Sequence, residues 1–208
     1  LMDALRRLPE ATVLLAPEAL EGYRRDESHL EGPRPLAVVR PRGPRALREL
    51  VRLARAEGFA LVPRGTGTGK AGGCVPTARS VVVELSEWPG EIRVSRPDGT
   101  LSAPASALLR DVKAAAAAEG LFYPPDPNSW DQCSFGGTLA TNAGGPSACK
   151  YGMTRHWVLA LDALLAPLQE RRLALQAASG RLVPLFVKIA PDLDEEQVAV
   201  IAHSLQKN

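Results

Sequence analysis

The glycine-rich segment at residues 63–73 limits what this chain can fold into more than any other feature. It reads Pro-Arg-Gly-Thr-Gly-Thr-Gly-Lys-Ala-Gly-Gly and directly follows an apolar run at residues 59–62. The apolar run is typical of a buried strand. The segment after it contains no acidic residue, and its glycines allow main-chain N–H groups to converge on a closely approaching ligand. The sequence therefore predicts a loop that binds a phosphate or a pyrophosphate.

A second segment of the same character lies at residues 136–145, which read Gly-Gly-Thr-Leu-Ala-Thr-Asn-Ala-Gly-Gly. It too combines glycine with small hydroxyl and amide side chains, and it carries no charge. Two such loops in one chain predict that a large anionic cofactor lies between them.

Two known phosphate-binding patterns match the first loop only in part. A nucleoside-triphosphate P-loop requires Gly-x4-Gly-Lys-[Ser/Thr], but Arg64 and Ala71 stand at its first and last positions, which leaves no hydroxyl for magnesium. The dinucleotide fingerprint occurs as Gly67-x-Gly69-x-x-Gly72. That fingerprint needs a helix to follow, whereas residues 73–76 lead quickly into the next strand. A glycine loop without a ligand is a third interpretation.

The bulk properties exclude several function classes. The chain has 208 residues and a net charge of +2, with no basic run interleaved with aromatic residues, so we expect no nucleic-acid partner. No apolar run approaches the ~18–20 residues of a membrane span. The cysteines (Cys74, Cys133 and Cys149) form no CxxC pair, so we expect no metal site and a reducing, cytoplasmic location.

Periodicity predicts two α/β units. In the first, a strand at 37–40, a helix from Pro44 to a cap at Gly58, and strands at 59–62 and 80–85 form a small parallel unit. Residues 1–35 are a lead-in, in which Leu5, Leu8, Val13 and Leu14 pack a short helix and turn.

The second unit begins with strands at 91–94 and 101–103 and a helix at 107–119, and a proline-rich loop at 122–129 follows. A strand or buried helix is predicted at 157–165. A helix, a strand and a second helix are predicted to complete the chain from residue 164.

Four ordered motifs give residues 36–165 a specific resemblance. They are residues 63–69, Tyr-Pro-Pro-Asp-Pro at 123–127, residues 136–145, and Lys-Tyr-Gly-Met-Thr-Arg at 150–155. Together they resemble the FAD-binding domain of the vanillyl-alcohol-oxidase (PCMH) type, and most of all the FAD subunit of glycolate oxidase and the D-lactate dehydrogenases. The resemblance implies an α/β (α+β) fold with a small parallel βαβ unit and a second, mixed-sheet subdomain.

The same resemblance implies a set of cofactor-binding residues. The backbone at residues 64–69 would hold the FAD pyrophosphate, the proline loop would pass near the flavin and ribityl chain, and the second segment would form the opposite wall. The implied residues are Pro63, Arg64, Gly65, Thr66, Gly67, Thr68, Gly69, Pro125, Asp126, Gly136, Gly137, Thr138, Thr141, Asn142, Gly144, Gly145, Tyr151 and Gly152. The first loop has no histidine for covalent attachment, so we expect noncovalent FAD.

The implied reaction transfers a hydride from a small 2-hydroxy acid to flavin N5, with further oxidase subunits as partners. No catalytic residue is identifiable in the sequence. The family's closure motif and its substrate-binding half are missing, so we expect the chain alone to be inactive. The predicted divisions are an FAD-pyrophosphate subdomain at 1–88, a second FAD-binding subdomain at 89–165, and an extension at 166–208.

The extension resembles a different flavoprotein, the membrane-associated class of dihydroorotate dehydrogenase. The match is Val-Pro-Leu-Phe-Val-Lys-Ile-Ala-Pro-Asp-Leu at 183–193, in which Lys188 takes the place of an FMN-contacting lysine. One strand and two helices cannot form a barrel, so we expect no FMN site. A composite α/β scaffold without cofactor, and an FMN protein of this second family, remain the alternatives.

Overall fold

The computed structural model of this chain describes residues 1–161, nearly all of them in one compact unit, Leu1–Val158. The predicted C-terminal helix, strand and helix, together with Lys188, lie outside the described residues. In chain order the described elements are α1 (Met2–Arg6), β1 (Ala11–Leu14), α2 (Pro17–Glu21), β2 (Ala37–Pro41), α3 (Pro44–Glu57), β3 (Ala60–Arg64), β4 (Ser80–Glu84), β5 (Arg93–Ser95), β6 (Thr100–Ser102), α4 (Leu109–Ala118), α5 (Phe135–Ala140) and α6 (Ala148–Tyr151), with short 3₁₀ turns at Gly22–Arg24, Leu85–Glu87 and Thr154–Trp157.

A four-stranded sheet in the order β1-β2-β4-β3 organises the N-terminal half. The strands β2, β4 and β3 are parallel, and α3 connects β2 to β3. This arrangement confirms the parallel unit that the hydrophobic pattern predicts. The helix ends at Gly58, whose φ of 67° is the left-handed conformation that glycine adopts most easily at a helix C-terminus.

Apolar side chains cover both faces of this sheet, as parallel strands require. On one face Val39 and Val81 pack against Leu50 of α3. On the other face Val38 and Val82 pack with Leu20 of α2, together with Val62 of β3 and the half-buried Tyr23. The alternation along β2 places successive valines on opposite faces.

The second predicted unit has its own core. The strands β5 and β6 form an antiparallel hairpin, and Leu109 and Val112 of α4 pack with the buried Cys133. The hairpin and the helix confirm the predicted elements to within about two residues at each end.

Three sequence predictions are wrong. Val13 and Leu14 lie in the edge strand β1, where they pair with Val39 and Val38 of β2, and not in a turn. The segment at 136–145 begins as the helix α5 and is a loop only after Ala140. Residues 158–161 form neither strand nor helix, and Trp157 ends a 3₁₀ turn.

Candidate cofactor-binding site

The first glycine-rich segment contacts the residue that caps the second segment, since Gly65 lies against Ser134. Gly65 follows the last residue of β3, and a Cβ added at Gly65 would overlap the Ser134 hydroxyl. Ser134 is buried and is the N-cap of α5, because its Oγ accepts a hydrogen bond of 3.2 Å from the amide of Gly137. Absence of a side chain at Gly65 therefore lets the first loop reach the start of the second segment.

A cavity of about 240 Å³ opens at this junction. Its walls come from the end of β3, the turn after β4, the segment before α4 and the cap of α5. The lining residues are Gly65, Thr66, Leu85, Ser86, Ala105, Ser106, Leu108 and Ser134. Because small-molecule pockets span ~300–1,000 Å³, the cavity has room for only part of a dinucleotide-sized ligand.

Main-chain donors of the first loop remain free. Among residues 1–161 the amides of residues 66–69 donate to no protein acceptor, and the hydroxyls of Thr66 and Thr68 form no hydrogen bond. Gly65 differs from these residues, because its backbone lies beside the Cys74 thiol, where burial raises the pKa of the thiol and this neighbour partly opposes the rise. The left-handed φ of 80° at Gly67 bends the loop between these donors. A run of unpaired amides is the donor set that a diphosphate requires.

The cationic side chains of this loop are engaged with protein groups. Arg64 Nη1 donates a 2.9 Å hydrogen bond to the carbonyl oxygen of Arg25, and its guanidinium lies 5.3 Å from the centre of the Tyr23 ring. Lys70 forms an exposed ion pair with Glu27 at 3.1 Å. Each cation therefore uses part of its hydrogen-bonding capacity within the protein, whereas the main-chain amides of residues 66–69 are unused.

The helix α5 uses its threonine hydroxyls internally. Thr138 Oγ1 donates to the carbonyl oxygen of Phe135 at 2.7 Å, and Thr141 Oγ1 donates to that of Gly137 at 2.8 Å. The two hydroxyl oxygens can still accept hydrogen bonds, whereas the two hydroxyl protons already donate to carbonyl oxygens of α5. Gly136 lies against the preceding segment, since a Cβ there would fall 2.9 Å from the carbonyl oxygen of Ala105.

The end of the second segment contacts the proline loop. The amide of Asp126 donates to the carbonyl oxygen of Gly144 at 3.3 Å, and a Cβ on Gly145 would overlap the carbonyl oxygen of Asp126. Asn142 adopts a left-handed φ of 50°, and its Oδ1 accepts a 3.0 Å hydrogen bond from the amide of Arg155. Three of the four motifs of the sequence analysis are thus joined by hydrogen bonds.

The proline loop is ordered by burial and one ion pair. Pro125 is fully buried. Lys113 Nζ lies 2.6 Å from Asp126 Oδ1 and 5.3 Å from the centre of the Trp130 ring. Asp126 therefore holds the loop to α4, and its carboxylate is not a free acid or base.

The fourth motif is bonded to the second segment, because the amide and the hydroxyl of Thr154 both donate to the carbonyl oxygen of Ala143. Trp157 Nε1 donates to the carbonyl oxygen of Tyr151 at 2.9 Å, and the rings of Tyr151 and Phe122 are 5.4 Å apart. Gly152 has a φ of 82°, and His156 Nδ1 accepts from the amide of Met153 at 3.0 Å. These contacts give His156 a structural partner.

Ser134 lines the cavity, and Tyr123 begins the proline motif, but neither is among the cofactor-binding residues that the resemblance implies. Burial raises the pKa of Tyr123 to about 12, so the phenol stays protonated beside Phe135. Serine is a favoured N-cap residue, but the two glycines that follow at 136 and 137 disfavour a helix, so the sequence gives only a weak signal for Ser134. The surroundings of Tyr123 depend on long-range packing and leave no local signal.

The first loop runs from β3 to β4 without a helix, which excludes both the P-loop and the dinucleotide fingerprint. A family model described as an FAD binding domain matches residues 35–167. The chain belongs to this FAD-binding family. The predicted family and its cofactor, FAD, are confirmed.

Curated proteins that are similar to this chain support the same family assignment. The chain is 35% identical over 161 residues to a D-2-hydroxyglutarate dehydrogenase of Xanthomonas citri pv. viticola, covering 77% of the chain and 34% of that protein. It is 33% identical to a D-lactate dehydrogenase of Archaeoglobus fulgidus, and the match covers 77% of this chain and 33% of that protein. It is 32% identical to the glycolate oxidase subunit GlcD of Bacillus subtilis, and the match covers 64% of this chain and 28% of that protein. The chain spans about a third of the length of these relatives.

A solved structure supports the fold of this FAD-binding domain. An alkyldihydroxyacetonephosphate synthase matches with a TM-score of 0.63 at 20% identity, over 75% of this chain and 35% of that one. The predicted α/β fold class is therefore confirmed. Among the described residues no helix has the length and apolarity to cross a membrane, and no cluster of three His, Cys, Asp or Glu side chains is placed to hold a metal.

Proposed function

We propose that this chain binds FAD noncovalently between its two glycine-rich segments, as the FAD domain of an oxidoreductase that acts on a small 2-hydroxy acid. The observation that carries the proposal is the run of unpaired amides at residues 66–69 beside the contact of Gly65 with Ser134. Four main-chain donors in a glycine loop fit a diphosphate.

In this proposal each segment around the site contacts a different part of FAD or supports a segment that does. The amides of residues 66–69, with the hydroxyls of Thr66 and Thr68, would bind the pyrophosphate. Thr138 and Thr141 would accept hydrogen bonds from the flavin and ribityl groups, because their own protons are used within α5. Pro125 and Asp126 would border the flavin, and Tyr151 and Gly152 would support the second segment from behind.

The cofactor would supply the redox chemistry, because bound FAD accepts a hydride at flavin N5. The protein groups described here bind and orient the cofactor. The absence of histidine from residues 63–73 favours noncovalent attachment. The low number of cysteines favours a cytoplasmic location, and the glycolate oxidase relative, which is named as a subunit, favours further oxidase subunits as partners.

We infer the 2-hydroxy acid from the relatives, which are a D-2-hydroxyglutarate dehydrogenase, a D-lactate dehydrogenase and a glycolate oxidase subunit. Residues that bind this substrate are not identified in the described part of the chain. We therefore propose cofactor binding for the chain and assign substrate turnover to the longer proteins that it resembles.

A second candidate is an α/β scaffold that holds no cofactor. The small cavity and the committed threonine protons favour this alternative. If the chain is such a scaffold, water would bind the free amides of the first loop.

A flavin titration with a matched pair of glycine variants separates the two candidates. A Cβ on Gly69 or on Gly73 would meet no protein atom within 4 Å, and neither glycine has a left-handed φ, so both alanine variants should fold normally. Only Gly69 belongs to the proposed pyrophosphate site, where a ligand that contacts the main chain leaves no room for a methyl group.

We expect the wild-type protein to quench FAD fluorescence and to retain a flavin absorption spectrum through gel filtration. Gly69→Ala should weaken FAD binding by at least about tenfold, or 1.4 kcal/mol, while Gly73→Ala should bind like the wild type. A colourless wild-type protein with no thermal shift in FAD would favour the scaffold. Tighter binding of FMN than of FAD would contradict a site that recognises the pyrophosphate.

A further inference from the structure

Residues 23–32, which we call the strap, form a closed loop that precedes the family match beginning at residue 35. The amide of Gly32 donates to the carbonyl oxygen of Arg24 at 2.9 Å, and Arg24 Nε donates to that of Gly32 at 3.1 Å. One residue further in, Arg25 forms a bridge and an ion pair with Glu31. The strap is therefore closed at its base by its own hydrogen bonds.

The strap contacts the first glycine loop at both ends. At the start of the loop, the carbonyl oxygen of Arg25 and the ring of Tyr23 hold the Arg64 guanidinium. At its end, Asp26 Oδ2 accepts a 3.4 Å hydrogen bond from the amide of Cys74. The contacts thus bracket the free amides at residues 66–69.

The middle of the loop is held as well. The amide of Glu27 donates a 3.2 Å hydrogen bond to the carbonyl oxygen of Gly67. The Arg64 guanidinium lies so close to Gly67 that a Cβ on Gly67 would overlap the guanidinium. Leu30 lies close to Gly72 in the same way, because a Cβ on Gly72 would fall 2.8 Å from Leu30 Cδ1. These contacts use the carbonyl oxygen and the Cα positions of the loop and leave its amides free.

Asp26 is the central group of the strap. Its Oδ1 accepts a 2.9 Å hydrogen bond from the amide of Ser28 and another from the Ser28 hydroxyl, while Oδ2 accepts from Cys74. Burial opposes the charge, but the hydrogen bonds from Ser28 and Cys74 outweigh it and lower the pKa of this carboxyl. One carboxylate therefore fixes the internal turn of the strap and its contact with the loop.

We propose that the strap holds the first glycine loop in its ligand-binding conformation, with Asp26 and Arg64 as positioning residues. A glycine loop has high conformational entropy when it is free, and ordering it before binding lowers the cost of association. Arg64 serves through its contact with the strap and not as an anion-binding cation. This inference rests on the proposed function only for the identity of the ligand.

The test compares Asp26→Asn with Glu27→Gln in the full chain. Asparagine has one acceptor oxygen, so it cannot serve both Ser28 and Cys74. Glu27→Gln removes the same charge from the same segment. Among the described residues the Glu27 side chain pairs with Lys70 of the loop, but both are exposed and water screens this pair, while the Glu27 amide still bonds Gly67. Arg64→Met is a second, independent variant in case Asp26→Asn fails to fold.

Hydrogen exchange of the unliganded protein is the first readout, at the amides of Glu27 and Val75, which bond the carbonyl oxygens of Gly67 and Gly72. We expect lower protection factors at both amides in Asp26→Asn and in Arg64→Met, and unchanged protection factors in Glu27→Gln. The protection factor is compared because a substitution at residue 26 or 27 also changes the intrinsic exchange rate of the Glu27 amide. FAD affinity should fall roughly three- to tenfold in the first two variants and stay unchanged in the third.

The outcomes separate the two proposals. Unchanged protection factors in Asp26→Asn and Arg64→Met overturn the strap, whether or not FAD binds. Lower protection factors with unchanged FAD affinity overturn its role in binding. A wild-type protein that binds no FAD overturns the proposed function, and exchange then decides alone whether the strap orders the loop.

Discussion

Gly65 packs so closely against Ser134 that a Cβ at Gly65 would overlap the Ser134 hydroxyl, while Ser134 Cβ would lie 3.4 Å away, at an ordinary contact distance. The hydroxyl is therefore the only atom of Ser134 that a methyl group at Gly65 would displace. It is also the group that caps α5 through the amide of Gly137. One oxygen atom thus connects the end of the sheet to the second segment.

We predict that Gly65→Ala destabilises the protein by about 1–3 kcal/mol, the usual cost of overpacking. Ser134→Ala should cost about 1 kcal/mol through the lost cap. The double variant should be more stable than the sum of the single effects, because Ser134→Ala removes the overlapping oxygen. Urea denaturation of the four proteins measures this coupling, and simple additivity would show that the two residues do not touch.

We predict a larger loss for Gly145→Ala, of about 3 kcal/mol or more, because it combines a left-handed φ of 110° with overlap of the Asp126 carbonyl oxygen. Gly99→Ala is the matched control, since Gly99 has a φ of 63° and open space around it. It should lose only about 1–2 kcal/mol, the cost of the left-handed conformation. Thermal unfolding compares the two, and equal losses would contradict the contact with the proline loop.

We predict that folding stability falls as pH rises from 10 to 12. Burial raises the pKa of Tyr123 from 10.0 to about 12 in the folded protein, so the stabilisation is complete below pH 10 and is lost through the folded pKa. Tyrosinate absorption and denaturant midpoints should report this transition. The Tyr123→Phe variant should lack that part of the alkaline loss, and a wild-type-like profile in this variant would assign the transition to other groups.

We predict a coupling of about 0.5–1 kcal/mol between Lys113 and Asp126, because their ion pair is partly exposed and screened by water. A double-mutant cycle with Lys113→Met and Asp126→Asn measures it, and added salt should reduce it. Arg93 and Glu91 form an exposed pair at 3.4 Å that serves as a control and should show little coupling. Equal coupling in both pairs would argue against a role for Lys113 in holding the proline loop.

Sequence patterns predicted the parallel unit because Leu50 and Ala54 repeat at helical spacing and the valines of β2 and β4 form continuous apolar runs. The edge strand β1 was missed because its four residues depend on pairing with β2 and have no strong local signal.

The helix α5 was missed for a different reason. Gly136 and Gly137 each disfavour a helix by about 1 kcal/mol relative to alanine, so the local sequence favours a loop. Tertiary contacts override this preference, since Gly136 leaves room for the main chain at Ala105 and Gly137 for the Ser134 hydroxyl. The strap was also unpredictable, because its contacts join Asp26 to Cys74 across 48 positions of the chain.

The position of Pro63 has a consequence for self-association. In the described part of the chain β3 is an edge strand, paired only with β4. An open edge invites another molecule to add a strand, and proline blocks such growth because it has no N–H to donate. Pro63 is exposed on this edge, one residue before the strand ends. Pro63, which begins the first glycine-rich segment, therefore gives strand β3 one N–H donor fewer for an added strand.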